Sequence, residues 1–350
     1  MLDWTSLLLA DPSPCLRWRV LRELIKLPAD DDEVIELAGM RVSDPLASEI
    51  LAFQGDDGAW KLGSMAMGRA SSNKILTTAL ALSRLGFLGF DVSLPAVERG
   101  AAFLFSQQQA DGSWPLHSDY QADEPVDIGK DRYTSMSLQT SLPLRGLAAC
   151  GYATDPRAEK AYEWLLAQRL PEGVWPTGMA AGVYGYVAGY RRMPHSRWGC
   201  RSNTTGALIC LALHPERRTS PEARRVLDHL LARETQEAFP LGFEVARLVG
   251  AEVARGFITF YARFDLGLIL WLCSQVRASK GDQRVAGLVQ FIMSQRGSYG
   301  LWEYSDKPQA SRWVTFDLIR SLEALEENLD WVNLEPSTPF QPYPKKLKRF

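Results

Sequence analysis

Side chains for metal binding and redox chemistry are scarce in this chain. Its four histidines, His117, His195, His214 and His229, show no metal-ligand spacing, and its five cysteines, Cys15, Cys150, Cys200, Cys210 and Cys273, include no CxxC pair. The first absence removes the usual signature of a zinc site and the second that of a disulfide scaffold, so buried thiols in a reducing compartment are expected. Excess charge is missing too. With 39 Lys and Arg against 41 Asp and Glu, the formal charge of -2 gives no general attraction for nucleic acid or an anionic membrane. No stretch reaches the ~18 uninterrupted apolar residues of a membrane-spanning helix. The start, MLDWTSLLLADPSP, has no basic segment ahead of its short apolar run. A cytoplasmic protein without a transmembrane segment is the expectation, with contact at a membrane face left open and oligomeric state not legible.

What the chain does have is a repeat. QGDDGAW (Gln54 to Trp60) and QQADGSW (Gln108 to Trp114) share Gln, three residues, Gly, one residue and Trp; QRLPEGVW (Gln168 to Trp175) and QRGSYGLW (Gln295 to Trp302) carry one extra residue before the Gly. A degenerate copy lies at Ala232 to Phe243. The later copies close amphipathic segments with apolar residues three and four apart, such as AVERGAAFLFSQQ and RAEKAYEWLLAQR, which read as outer helices. A different kind of segment follows each copy after a loop. NTTGALICLAL (Asn203 to Leu213) contains no charged residue, and a helix apolar on every side has to be enclosed.

Alternating half-polar and apolar helices over most of the chain predict two concentric layers, and the shortage of charge on the inner one favours a closed double barrel over an open solenoid. Residues 45–327 would form it, with up to six hairpins. Residues 1–44 would pack on the barrel or complete it, and residues 328–350 would form a Pro-rich strap with a basic end. If the hairpins run alike, the long connections Pro115 to Tyr133, Pro176 to Ser202 and Pro240 to Phe264 gather on the rim where inner helices begin. Long connections and helix N-termini together point to that rim as the place for an active site.

The Gln, Gly, Trp pattern at the ends of outer helices resembles the repeat of the terpenoid cyclases and protein prenyltransferases. The likeness covers about Pro45 to Leu325 and is shared with squalene-cyclase-like single-domain bacterial proteins. It implies an all-α fold, the alpha/alpha toroid, and a central cavity for a hydrophobic small molecule of isoprenoid type. The chemistry of the family does not carry over residue by residue. The Asp-x-Asp-Asp acid motif of the cyclases is missing, as is the Asp-x-Cys zinc pair of the prenyltransferases.

Candidate residues therefore come from position and chemistry. Asp265 and Asp317, in RFDLGL and TFDLIR, sit alike at the starts of inner helices; each reads as a first-turn cap or arginine partner, or as an acid in the cavity mouth. Asp127 and Asp131, with Asp123 and Glu124, make an acidic loop before Thr134, which could protonate an alkene or simply be solvated. No residue pattern identifies a cofactor, and Mg2+ enters only if the substrate is a diphosphate. Tyr184, Tyr186, Tyr190, Trp198, Phe260, Tyr261, Phe264, Trp271 and Trp313 are the rings available to line a cavity and stabilise a carbocation. The expected function is binding of an isoprenoid-like substrate with acid-catalysed cyclisation. The alternatives are a noncatalytic binding or scaffold protein that keeps the toroid, and a carbohydrate-active helical barrel with a pair of cavity acids.

Overall fold

The computed structural model describes residues 4–61, 73–115, 136–178, 193, 196–231, 240–253, 261, 264–304 and 307–326. Among them the regular elements are helices: α1 (Trp4–Leu9), α2 (Pro14–Arg19, prolonged by a π turn over Val20–Leu24), α3 (Asp32–Met40), α4 (Pro45–Leu51), α5 (Lys74–Phe87), α6 (Pro95–Ser106), α7 (Ser137–Leu147), α8 (Pro156–Ala167), α9 (Arg201–Leu213), α10 (Pro221–Leu231), α11 (Phe243–Leu248), α12 (Leu266–Gln275), α13 (Gln283–Ser294) and α14 (Ser311–Glu326).

Burial sorts them into two layers. Every residue of α7 is buried, as is α9 from Arg201 to Ala212, whereas α13 buries Val285, Leu288 and Ile292 at helical spacing. The inner helices pack in series, α5 on α7, α7 on α9, α9 on α12 and α12 on α14. The outer helices α6, α8, α10 and α13 back them. Between α14 and α5 the ring is closed by the helix from Pro14 to Leu24. Glu23 accepts from Arg320 of α14 at 3.0 Å, and Arg19 donates to the carbonyl of Phe87 on α5. This is the all-α toroid.

The repeat supplies the turns, and its bonds recur in all four copies. The indole Nε1 of Trp60, Trp114, Trp175 and Trp302 donates to the carbonyl ten residues earlier, on the outer helix just completed, at 2.6–2.8 Å. The backbone N–H of the same residue donates to a threonine on the inner helix about to form: Thr78, Thr140, Thr204 and Thr315. The glycine two residues before each Trp has positive φ, from 81° to 102°. A Cβ on Gly112 would lie 2.4 Å from the carbonyl oxygen of Lys160, on the next outer helix. Conformation and close approach therefore both demand glycine there.

Gln54 and Gln108 each donate to two carbonyls, that of their own Gly and one on the next outer helix, Ala96 and Arg157 respectively. Counted back from Gly and Trp, the corresponding residues in the other two copies are Arg169 and Arg296, and Arg296 donates to the carbonyl of Gly300 at 2.8 Å. The apparent extra residue is thus a replacement of Gln by Arg at this position, with the turn itself unchanged and the donor role kept by Arg296.

Candidate functional site

A short helix occupies the inside of the ring. All six residues of α11 are buried, and it packs against α5, α12 and α14. Its start is built for that position. Gly242 has φ 82°, and a Cβ there would lie 2.6 Å from the methyls of Val314. The Asp265 carboxylate accepts from the backbone N–H of Gly242 at 2.9 Å, Glu244 at 2.6 Å and Gly267 at 2.9 Å. One side chain thereby caps α11 and α12 together. Burial pushes the Asp265 carboxyl up to about 6, against the pull of these N–H donors.

Side chains of α11 lock it to the barrel. Glu244 accepts from Arg145 of α7 at 2.5 Å and from Arg247 at 2.9 Å, and Arg145 also donates to the Tyr261 hydroxyl. Burial works against ionisation of Glu244, yet Arg247 and Arg145 outweigh it and hold the carboxyl below its ordinary range. At the far end, Arg84 of α5 donates to the carbonyl of Leu248 at 2.8 Å.

Two cavities flank this helix. The axial cavity, about 190 Å³, is walled by Val245 and Leu248 of α11, with Phe87, Trp271, Arg145 and Asp317 among the inner-helix residues that line it. It reaches Ser83, Gly86 and Phe87 at the end of α5 and Leu213, the last residue of α9. It therefore lies toward the rim where inner helices end. The second cavity, about 610 Å³, lies at the rim where they begin, lined by Ser13, Ser311, Arg312 and Trp313, with Val249 facing it from the end of α11.

Asp317 is the axial cavity's other carboxylate besides Glu244. It accepts from Arg320 at 2.5 Å, and Arg320 also bonds Glu23, which Arg19 holds at 2.5 Å. Burial raises the Asp317 carboxyl above its ordinary value against the opposing pull of Arg320 and Arg19. Glu23 goes the other way. Despite burial, Arg19 and Arg320 lower it to about 2.

The residues expected from sequence are distributed unevenly over this geometry. Asp317 and Trp271 line the axial cavity. Asp317 is not at a helix start: α14 begins at Ser311, so it stands almost two turns inside, whereas Asp265 is the N-cap of α12. The two Phe-Asp-Leu segments are therefore not equivalent, and Asp265 spends its oxygens on backbone. Tyr261 is buried beside Arg145, Phe264 lies under the Arg201 guanidinium, and Trp198 is half-buried against the core. Trp313 lines the rim cavity and packs on Phe87 with ring centroids 5.6 Å apart. Asp127, Asp131, Tyr184, Tyr186, Tyr190 and Phe260 lie outside the described residues, as do His117 and His195. His214, at the end of α9, bonds Glu159 of α8, and His229 of α10 bonds the carbonyl of Glu172. All five cysteines are buried and free of disulfides. No group of three or more His, Cys, Asp or Glu among the described residues could hold a metal, and no described helix is long and apolar enough to cross a membrane.

Sequence reading passed over Arg19, Phe87, Arg145, Glu244 and Arg320. Arg145, set in the otherwise uncharged run TSLPLRGLAA, was the available signal: a charge inside an enclosed helix has to find a buried partner.

Comparison with known proteins bears on this architecture. Residues 29–190, which hold three of the four repeat copies, match the family model of the squalene-hopene cyclase C-terminal domain. The chain is terpenoid-cyclase-like. The squalene–hopene cyclase of Zymomonas mobilis is 29% identical over 154 residues, 41% of this chain and 21% of that enzyme, so the chain spans about a fifth of that relative's length. Among solved structures, a protein from Actinoplanes is 15% identical with a TM-score of 0.45, covering 89% of this chain and 90% of its own. The type II terpene cyclase MstE from Scytonema, in complex with geranylgeranyl dihydroxybenzoate, is 13% identical with a TM-score of 0.32, covering 81% of this chain and 96% of its own.

Proposed function

We propose that this terpenoid-cyclase-like protein binds an isoprenoid-like apolar ligand in the axial cavity and that Asp317 is the acid that protonates it. The observation that carries the reading is a buried carboxyl, raised by that burial, facing a cavity that also holds the rings of Trp271 and Phe87. A general acid has to keep its proton until the substrate is in place, which a raised carboxyl favours. Proton transfer from Asp317 to an alkene carbon leaves a tertiary cation that aromatic faces stabilise. Attack by a second double bond would close a ring, and transfer of a proton from the resulting cation back to the Asp317 carboxylate would leave an alkene and restore the acid.

A second reading, binding without turnover, draws on the 2.5 Å contact of Arg320 with Asp317, which favours the ionised carboxylate. One experiment separates them. Purified protein is incubated with linear isoprenoids from C5 to C30, with and without Mg2+, and both bound ligand and cyclic product are measured for wild type and Asp317→Asn. Product in the wild type, with at least a hundredfold loss in the variant at preserved binding, supports acid catalysis. Binding with no product in either supports the second reading, and absence of binding removes both.

A further inference from the structure

Taking the axial cavity as the ligand site, as proposed above, we infer that α11 sets the size of what enters it. Val245 and Leu248 are the specificity-determining residues, and the ligand portion accommodated is a single ring or a terminal isoprene unit, not a folded long chain.

The volume comes first. An engineered cavity of ~150 Å³ takes up one benzene ring, and the axial cavity is about 190 Å³. Roughly one or two carbons more than a benzene fit, on the same proportion. The toroid does not impose this limit. The inner helices leave an interior wide enough to admit a helix, and α11 takes up part of it, starting beside Val314 and Gly267 and ending on Arg84 of α5. What remains is bounded on that side by Val245 and Leu248, while Val249, the next residue, faces the larger rim cavity. A single turn of helix is thus a partition between two spaces, and its side chains fix how far a chain entering the axial cavity can extend.

The partition is held firmly. Its start is capped by Asp265, its middle is paired through Glu244 with Arg145, and its last carbonyl is bound by Arg84. A ligand that needed more length would have to break these buried contacts together. Truncation of a wall residue is the cheaper route to space, because it removes atoms without touching the anchors.

The test uses the full-length protein and a probe that depends on size alone, straight-chain alcohols from C5 to C16, with binding followed by calorimetry and by Trp271 fluorescence. Each newly buried methylene should tighten binding about fourfold, so affinity should climb and then level off near eight carbons. Leu248→Ala removes three carbons from the wall and should move the break two to three carbons outward; Leu248→Val, the milder change, should move it by about one. Circular dichroism establishes that each variant folds, and Leu248→Val carries the comparison if the alanine variant does not. An unbroken rise through C16 in the wild type, a break unmoved in the folded variants, or no binding of any alcohol would overturn the inference. Isoprenoid alcohols run in parallel keep the two readings apart. If the break moves as expected but isoprenoids bind no better than straight chains, the size limit stands and the isoprenoid reading fails. If isoprenoids bind well and the break stays put, the reverse holds.

Discussion

Trp114 illustrates what a single repeat residue contributes. Its ring is buried, its indole N–H satisfies the Leu104 carbonyl at 2.8 Å, and its backbone N–H reaches Thr140. Trp114→Ala should therefore cost about 3–5 kcal/mol, the range for emptying a large aromatic site. Trp114→Phe keeps most of the ring and loses the donor, leaving one buried carbonyl without that partner, and should cost about 1–3 kcal/mol. Urea denaturation of both variants checks the order, and equal losses would mean that the ring Phe retains adds nothing and that the indole hydrogen bond carries the whole contribution. At this scale the sequence was largely legible. Gly and Trp are conformationally and sterically unmistakable, so the turns could be found. The Gln position was misregistered in two copies because Arg169 and Arg296 fill it, and a donor site tolerates either side chain where a positive-φ site tolerates only glycine.

For the element that matters most, α11, sequence offered little. Six residues are too few to show a helical period, and Glu244 and Arg247 look like surface charges until Arg145 is seen beside them. Pro240 to Phe264 thus reads as a loop, although Phe243–Leu248, near its start, form a buried helix. The same blind spot makes Asp265 look like a cavity acid when it is the cap that ties α11 to α12. Its titration is a test of that role. The folded-state value of about 6 lies above the ~3.9 of a free aspartate. The folded protein therefore takes up the proton first as pH falls. Asp265 disfavours the fold above about pH 6, and that penalty is relieved between about pH 6 and pH 4, by roughly 2–3 kcal/mol. Burial lowers His229 from its ordinary value, so its own contribution runs oppositely, stability being lost as pH drops through the unfolded-state value. The difference between wild type and Asp265→Asn cancels that contribution. It should grow in favour of wild type from pH 6 to pH 4 in thermal melts, and a pH-independent difference would show that Asp265 is ionised throughout.

The whole molecule is a ring whose ends meet at one ionic seam. Glu23 is shared by Arg19 and Arg320, and Arg320 is shared in turn with Asp317. Removing one member of a partly buried ionic set leaves the rest less well compensated, so Glu23→Gln should cost about 1–3 kcal/mol. Because Glu23 is held near 2, its stabilisation is present above about pH 4.5 and fades as pH falls toward 2. The variant should consequently lose more stability at pH 6 than at pH 3, which guanidinium titrations at the two values would reveal. Layering was readable from the alternation of polar and apolar helices. Closure through these charges was not, because Arg19, Glu23 and Arg320 lie nearly 300 residues apart at the extremes and only the fold brings them together.

The position of that seam also has a mechanical meaning. Five of the six junctions between neighbouring inner helices are bridged by the chain itself, and the sixth, between α14 and the helix from Pro14 to Leu24, is held among the described residues by side-chain contacts such as Arg320 with Glu23, beside which Arg312 reaches Asp11. Tension applied between the two ends of the described chain would load this junction first. Held between two handles, the molecule should open like a clasp, at a force set by Arg19, Glu23 and Arg320, while the four tryptophan turns keep their hairpins intact.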